Sequence, residues 1–435
     1  MSNSKSIKKI NIILIAILVL VVIIVVLLLT NNSTDKVVIS SENSYKGNIT
    51  NSNALTMMYE TEAGSGEYQV SKDTSWPQEG YTFNETLSRC ENGGKLMYNS
   101  ETNRIVLQTN SSDKCYVYFD IYNPTIEDLC NGKVLSDCIT NQIYMGTDGD
   151  NDLYYHDGLG AYINADQEAE DNSYRYSGAN PNNYVCFGSD EKVCPSDNLY
   201  RIVGVFDGQV KLIKSDYANS NLLGTDGDYY AGVISNSDSD YYKGVLETIN
   251  RYYWNHNTEK NIWSESNLNI VNLNINFINN IGTNWSNLID NHEWIVGGNT
   301  IENIQEVTVK LVYRNEIINP ISNTTYIAKI GLMYVSDYEY AANSTYWNYV
   351  GYTYSGPDYR DAINNNWMHM GLNEFTITLR NYNNNVHIIA ANGSVSFVEA
   401  RGSYTPTAVR PVFYLNSDVA YISGTGTQSD PFRIA

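Results

Sequence analysis

Positive charge is scarce in this chain. Only 27 Lys and Arg stand against 48 Asp and Glu in 435 residues, a formal net charge of −21. A surface of that sign repels phosphate backbones, which argues against nucleic acid as a partner. Histidine is scarce as well, with five in all, scattered singly. His292-Glu293 begins like a zincin helix, but its second histidine would fall at Val296. There is no C-x-x-C and no histidine near a cysteine at ligand spacing, so zinc is not expected. A G-x-S-x-G elbow and a G-x-x-x-x-G-K-[ST] loop are both missing, and Gly424-x-Gly426 lacks the third glycine of a nucleotide site. Nothing singles out a catalytic carboxylate pair. The chain is therefore read as a non-enzyme without a resident cofactor.

The lack of basic residues does not imply disorder. With 42% hydrophobic and 12% aromatic residues the chain can bury a core, and its length calls for more than one domain. Ile12 to Leu29 is an uncharged apolar run of eighteen residues. As a helix it would span roughly 27 Å, close to a bilayer's hydrocarbon thickness. Lys5, Lys8 and Lys9 precede it, so residues 1–11 are expected to be a cytoplasmic tail and everything after Thr30 to be exported. A cleaved signal peptide is the competing reading. The run is longer than the usual h-region, however, and "TNNSTDK" offers no A-x-A-like site, which favours a single-pass signal anchor at 12–29 in the cell membrane. Residues 30–52, polar and rich in Ser and Asn, read as a stalk.

All six cysteines lie in the exported part, where an even number suggests disulfides. Neighbours in sequence pair Cys90 with Cys115, Cys130 with Cys138 and Cys186 with Cys194, one of fifteen connectivities.

Strand-like stretches in "ALTMMYETE", "GEYQVS", "KLMYNS", "NRIVLQTN" and "KCYVYFDIY" make residues 53–123 a small all-β module. Residues 124–435 read as a second, α+β domain. Thr125 and Asp128 have N-cap spacing, and Asp207-Gly208 reads as a hairpin turn. Tyr242, Val245, Leu246, Ile249 and Tyr253 recur at helical spacing, and another helix is expected within Leu268 to Ile281. Ser336 with Glu339 reads as a capping box. "EFTITLRN" and a hairpin at Asn392-Gly393 lead to "VRPVFYLN", where Pro411 predicts an edge strand or a bulge.

In that order, "LYRIVGVFDGQVKLI", "NIWSESNLNIVNLNINFI", "KIGLMYVSDYEYA" and "NGSVSF…VRPVFYLNSDV…SGTGTQSDPFRI" resemble a bacterial domain family of unknown function. The family is related to the C-type-lectin-like fold of the formylglycine-generating (sulfatase-modifying) enzymes, and the likeness spans roughly Tyr184 to Ala435. It implies a compact C-type-lectin-like α+β domain whose loops present a variable surface. The oxidative chemistry of those enzymes does not carry over, because no cysteine follows Cys194. The calcium-sugar motifs of animal lectins are absent too.

Two clusters are candidates for binding. Asp148, Asp150 and Asp152 in "GTDGDND" have the alternating spacing of a calcium loop, but Leu153 and Leu159 stand where an EF-hand needs Gly and Glu. A solvated turn and a weak structural calcium site are the two readings. Tyr346, Trp347, Tyr349, Tyr352, Tyr354, Tyr359 and Trp367 lie among asparagines and glycines, the chemistry of ligand-contacting loops. The rival reading is core packing in a chain with 37 tyrosines. The sequence thus predicts a membrane-anchored surface protein recognising an extracellular glycan or protein. A structural envelope protein and a wall-acting enzyme are the alternatives.

Overall fold

The structure is a computed structural model that describes residues 55–70, 80–99, 104–108, 113–158, 168–235, 241–258, 260–299, 304, 307–348, 363–380, 384–400 and 406–435. The expected tail, membrane span and stalk (1–52) lie outside the described residues. So do Tyr349, Tyr352, Tyr354 and Tyr359. Among the described residues no helix is long and apolar enough to cross a membrane. The chain divides into two compact units, one ending at Pro124 and the other running from Thr125 to Ala435.

The first unit is built from β1 (Leu55–Glu60), β2 (Tyr68–Val70), β3 (Tyr81–Cys90), β4 (Lys95–Asn99), β5 (Arg104–Gln108) and β6 (Cys115–Ile121). Four of them form a sheet in the order β2-β1-β6-β3, with β1 parallel to β6, and β4 pairs with β5. Alternation puts Met57, Tyr59, Val117 and Phe119 on one buried face. Cys90 at the end of β3 is bonded to Cys115 at the start of β6.

The second unit contributes β7 (Leu153–His156), β8 (Ser173–Tyr176), β9 (Tyr184–Cys186), β10 (Leu199–Phe206) and β11 (Gln209–Lys214). After them come β12 (Tyr229–Ser235), β13 (Thr248–Tyr252), β14 (His292–Ile295), β15 (Thr325–Ala328) and β16 (Ile330–Gly331). The last are β17 (Glu374–Arg380), β18 (Asn385–Ile389), β19 (Val395–Glu399), β20 (Val412–Tyr414), β21 (Tyr421–Ser423) and β22 (Arg433–Ile434). The central sheet runs β16-β20-β11-β10-β8-β7, with β9 also pairing to β10. Its middle strands are apolar without alternation, "LYRIVGVF" and "QVKLI", because both faces are covered. Asp207 (φ 47°) and Gly208 (φ 79°) both adopt positive φ, as a two-residue turn matched to strand twist requires. At Gly204 an added Cβ would meet the Tyr174 carbonyl at 2.2 Å, so glycine is what lets β10 approach β8.

The expectation of an α+β domain is corrected. About 35% of the described residues are strand and 22% helical, and the helices are short. One reason is local. The Tyr242 to Tyr253 stretch, helical by its spacing, instead forms turns and strand β13, because Asp216 accepts Val245 N at 2.9 Å and the Tyr242 hydroxyl at 2.9 Å and so fixes an irregular bend. The other expected helix is present as a π-wound segment, Leu268–Phe277, running into α-helix Ile278–Ile281. Thr125 and Asp128 do form a capping box, opening helix Ile126–Cys130. The box placed at Ser336 and Glu339 sits two residues earlier, with Tyr334 as N-cap and Asp337 as its third-position partner. β20 is not at an edge. It lies between β16 and β11, with Pro411 just ahead of it and the Pro411 carbonyl accepting Lys214 N at 3.1 Å.

The two ends of the unit meet. Ala420 bridges Val134, and Phe432 bridges Val185 alongside β9. Phe187, Tyr200 and Phe277 surround the Phe413 ring at 4.9, 5.5 and 6.0 Å, so the closing strand completes the core. Burying such a ring contributes roughly 1.5–3 kcal/mol. Disulfides Cys130–Cys138 and Cys186–Cys194 hold the surrounding loops, and no cysteine is free.

Candidate ligand-binding site

β11 is buried on both faces, so Lys211 is drawn out of water and is only 1% exposed. A lone buried ammonium is costly. Here Asp337 offsets the cost, with Nζ to Oδ2 at 2.6 Å. Asp337 is held in turn by its helix, Val335–Tyr340, where its Oδ2 accepts Tyr334 N at 2.9 Å. That helix start is fixed from outside. Glu316 accepts Val335 N and Ser336 N, each at 3.0 Å, and the Thr378 hydroxyl at 2.5 Å. Burial pushes Glu316 up to about 7.

From β8, Arg175 reaches the same place. Its NH1 lies 3.7 Å from Asp337, its NH2 2.6 Å from Asp171, and its Nε donates to Ser173 Oγ at 2.9 Å. Its guanidinium stacks over Phe206 at 4.6 Å, Tyr340 at 4.9 Å and Tyr313 at 5.4 Å. Burial raises the Asp171 carboxyl, but the Arg175 charge outweighs it and holds the group below its usual value. Lys211 sits over Tyr334 at 4.9 Å and over Phe206 and Tyr414 at 5.3 Å, and burial lowers its pKa against the pull of Asp337. The His292 ring stacks on Tyr414 with centroids 3.7 Å apart. Burial, and then the Lys211 charge, push it down to about 4, so it is neutral at neutral pH.

These groups line a pocket of about 240 Å³, with Asp207, Gln209, Glu293, Ile295 and Ile317 completing its wall. Arg175 and Lys211 balance Asp171 and Asp337, so the deepest part is neutral yet densely polar. The rings of Phe206, Tyr313, Tyr334 and Tyr414 give it flat apolar walls. The volume is below the roughly 300–1,000 Å³ of drug-sized sites, which suits a single ring carrying hydrogen-bonding groups.

The residues expected from sequence lie elsewhere. Trp347 (1% exposed) packs among Tyr154, His156 and Tyr340 and donates to the Ala342 carbonyl at 3.0 Å. Trp367 (3%) donates to the Tyr176 carbonyl at 2.8 Å. Trp347 is inside the core, Trp367 is nearly covered but lines a second pocket, and Tyr346 is half-buried in a short turn. Asp148 accepts the Tyr144 hydroxyl at 2.9 Å and Tyr155 N at 2.8 Å. Asp150 and Asp152 belong to a tight turn, with Asp152 raised by burial. Among the described residues only Cys90, Asp113 and Cys115 bring three potential metal ligands within 4.8 Å, and both sulfurs there are in a disulfide. In the related "GTDGDYY", Asp228 accepts His256 N and Leu268 N and so tethers the start of the π-wound segment.

Sequence reasoning missed Arg175, Lys211 and Asp337. A signal was present: "SYRY" and "QVKLIK" each set a cation inside a stretch that is otherwise strand-forming. Comparison with protein-family models, with curated proteins and with solved structures gives no match for this chain.

Proposed function

We propose that this chain is an exported recognition protein whose larger unit binds one sugar ring of an extracellular glycan in the pocket around Lys211. The observation that carries the reading is the fixed network of Lys211, Arg175, Asp171 and Asp337 beneath the aromatic walls. Each polar group is held in place before a ligand arrives, so little ordering entropy is lost on binding. Planar rings take the apolar face of a sugar, and the charged groups take its hydroxyls through charge-assisted hydrogen bonds. A pocket of this volume admits a ring rather than a protein surface. Three disulfides support a location outside the cytoplasm.

The test is a glycan array probed with the full chain in mild detergent, beside a Phe206→Ala variant. Phe206 forms part of the wall and is half-buried. A set of related glycans bound by the parent and weakened in the variant, with both proteins folded by circular dichroism, supports the reading. A folded parent that binds no glycan on the array overturns it.

A further inference from the structure

A second pocket in the larger unit, of about 230 Å³, is lined by Asn180, Tyr184, Ser196, Arg201, Lys243 and Trp367, among others. Arg201 is 6% exposed and lies over the Tyr184 ring at 4.3 Å and the Trp367 ring at 4.6 Å. Arg175 and Arg410, the two arginines buried more deeply than it, each hold a carboxylate, that of Asp171 at 2.6 Å and that of Glu374 at 2.7 Å. Arg201 holds none among the described residues. Its Nε donates to Asn183 Oδ1 at 2.7 Å and its NH2 to the Pro181 carbonyl at 3.0 Å and Asn180 Oδ1 at 3.3 Å, all neutral acceptors, while NH1 makes no hydrogen bond.

Burying a cation without a counterion is unfavourable. Accordingly, burial pushes Arg201 down to about 10, and repulsion from Arg410 adds to it. Lys243, exposed at the mouth, donates to the Ile363 carbonyl at 3.3 Å and has no carboxylate partner among the described residues either. Partial desolvation, followed by the Arg201 charge, lowers it. Asp216 is the carboxylate in the lining. Its oxygens already accept Tyr217 N at 2.7 Å, the Tyr242 hydroxyl at 2.9 Å and Val245 N at 2.9 Å, and it pairs with neither cation. In a chain of net charge −21, two adjacent cations without counterions in a concave site stand out.

The geometry points to this pocket as a binding site for an acidic sugar residue, a uronate. Its carboxylate meets Arg201 and Lys243, its hydroxyls meet Asn180, Ser196 and Gln428, and its ring lies among Trp367, Val245 and Met370. Guanidinium suits a carboxylate better than any other side chain does, and the amide and hydroxyl lining has no use for a bare anion. The inference is independent of the Lys211 pocket.

Isothermal titration of the full chain with glucuronate tests it, with methyl glucoside and acetate as the other arms. Glucuronate should bind at least about tenfold tighter than either, and its affinity should fall as salt rises. Lys243→Gln, at an exposed position, should weaken glucuronate about three- to tenfold with an unchanged melting temperature, and Phe206→Ala should leave it unaltered. Equal affinity for glucuronate and methyl glucoside overturns the assignment, and so does acetate binding as tightly as glucuronate. Absence of glucuronate binding by the folded chain, or a Lys243→Gln affinity equal to the parent's, does the same.

Discussion

Arg410 and Glu374 are joined by two parallel hydrogen bonds, Nε to Oε1 at 2.7 Å and NH2 to Oε2 at 2.9 Å, with both side chains buried. NH2 also donates to the Met368 carbonyl at 2.7 Å. The arginine that precedes Pro411 therefore ties the closing strand to β17 and to the segment carrying Trp367. Removing only the arginine leaves a carboxylate stranded in the core, and Arg410→Met should cost about 3–5 kcal/mol in urea unfolding. Adding Glu374→Leu to it should recover most of that loss, since the stranded charge disappears. A single variant costing less than about 1 kcal/mol would show that the pair is solvated.

Gly204→Ala should destabilise the larger unit by about 1–3 kcal/mol, because the new Cβ would press on the Tyr174 carbonyl and β8 would have to move. As β8 also carries Arg175, sugar affinity at the Lys211 pocket should fall along with stability. Gly204 is not among the glycines at positive φ, so the loss reports the contact with the Tyr174 carbonyl rather than left-handed backbone strain.

Stability should be greatest at mildly acidic pH. Burial holds His156 and His387 down to about 3, and His292 and His369 down to about 4, against 6.5 in the unfolded chain. Below pH 6.5 the unfolded state therefore binds the extra protons, and stability is lost as pH falls toward 3, by a few kcal/mol per histidine. Glu316 and Glu168, raised by burial to about 7, and Glu339, raised well above its usual value, act in the opposite sense. Their native forms keep protons that the unfolded chain releases near 4.5, so stability is lost as pH rises toward and through 7. Between about 4.5 and 6.5 the two effects oppose each other. Calorimetry from pH 3.5 to 8.5 should give a melting temperature that peaks in this window. A steady rise from pH 5 to pH 8 would contradict the assignment.

Features set by neighbours in sequence were legible. Asp207-Gly208, the Thr125 and Asp128 box and the disulfides over short separations are all local. What could not be read depends on distant partners. Tyr242 to Tyr253 has a helix's spacing but obeys Asp216, and Asp337 rather than Glu339 completes the cap of its helix. Lys211 stands in a strand-forming stretch whose neighbours in sequence name no partner for it. Only the fold shows that Asp337, 126 residues later, meets it. Trp347 illustrates the converse: it stood among the candidate binding residues, with core packing as the rival reading, and its indole nitrogen is satisfied by a carbonyl inside the unit.

The small unit should depend on its disulfide far more than the large one does. Its buried apolar cluster amounts to Met57, Tyr59, Val117 and Phe119, with Leu55, Tyr81, Phe83 and Leu96 half-covered. Burying four such side chains contributes roughly 6–12 kcal/mol, much of it offset by chain entropy. Cys90 and Cys115 are 25 residues apart, and closing that loop is worth about 3.5 kcal/mol by chain entropy, against about 2.5 for each eight-residue loop in the larger unit. Replacing both Cys90 and Cys115 by Ser should therefore abolish the protection of β1 and β6 amides from hydrogen exchange, while the slow amides of β10 and β11 keep theirs. If β1 and β6 stayed protected in that variant, the small sheet would be stable on its four core side chains alone.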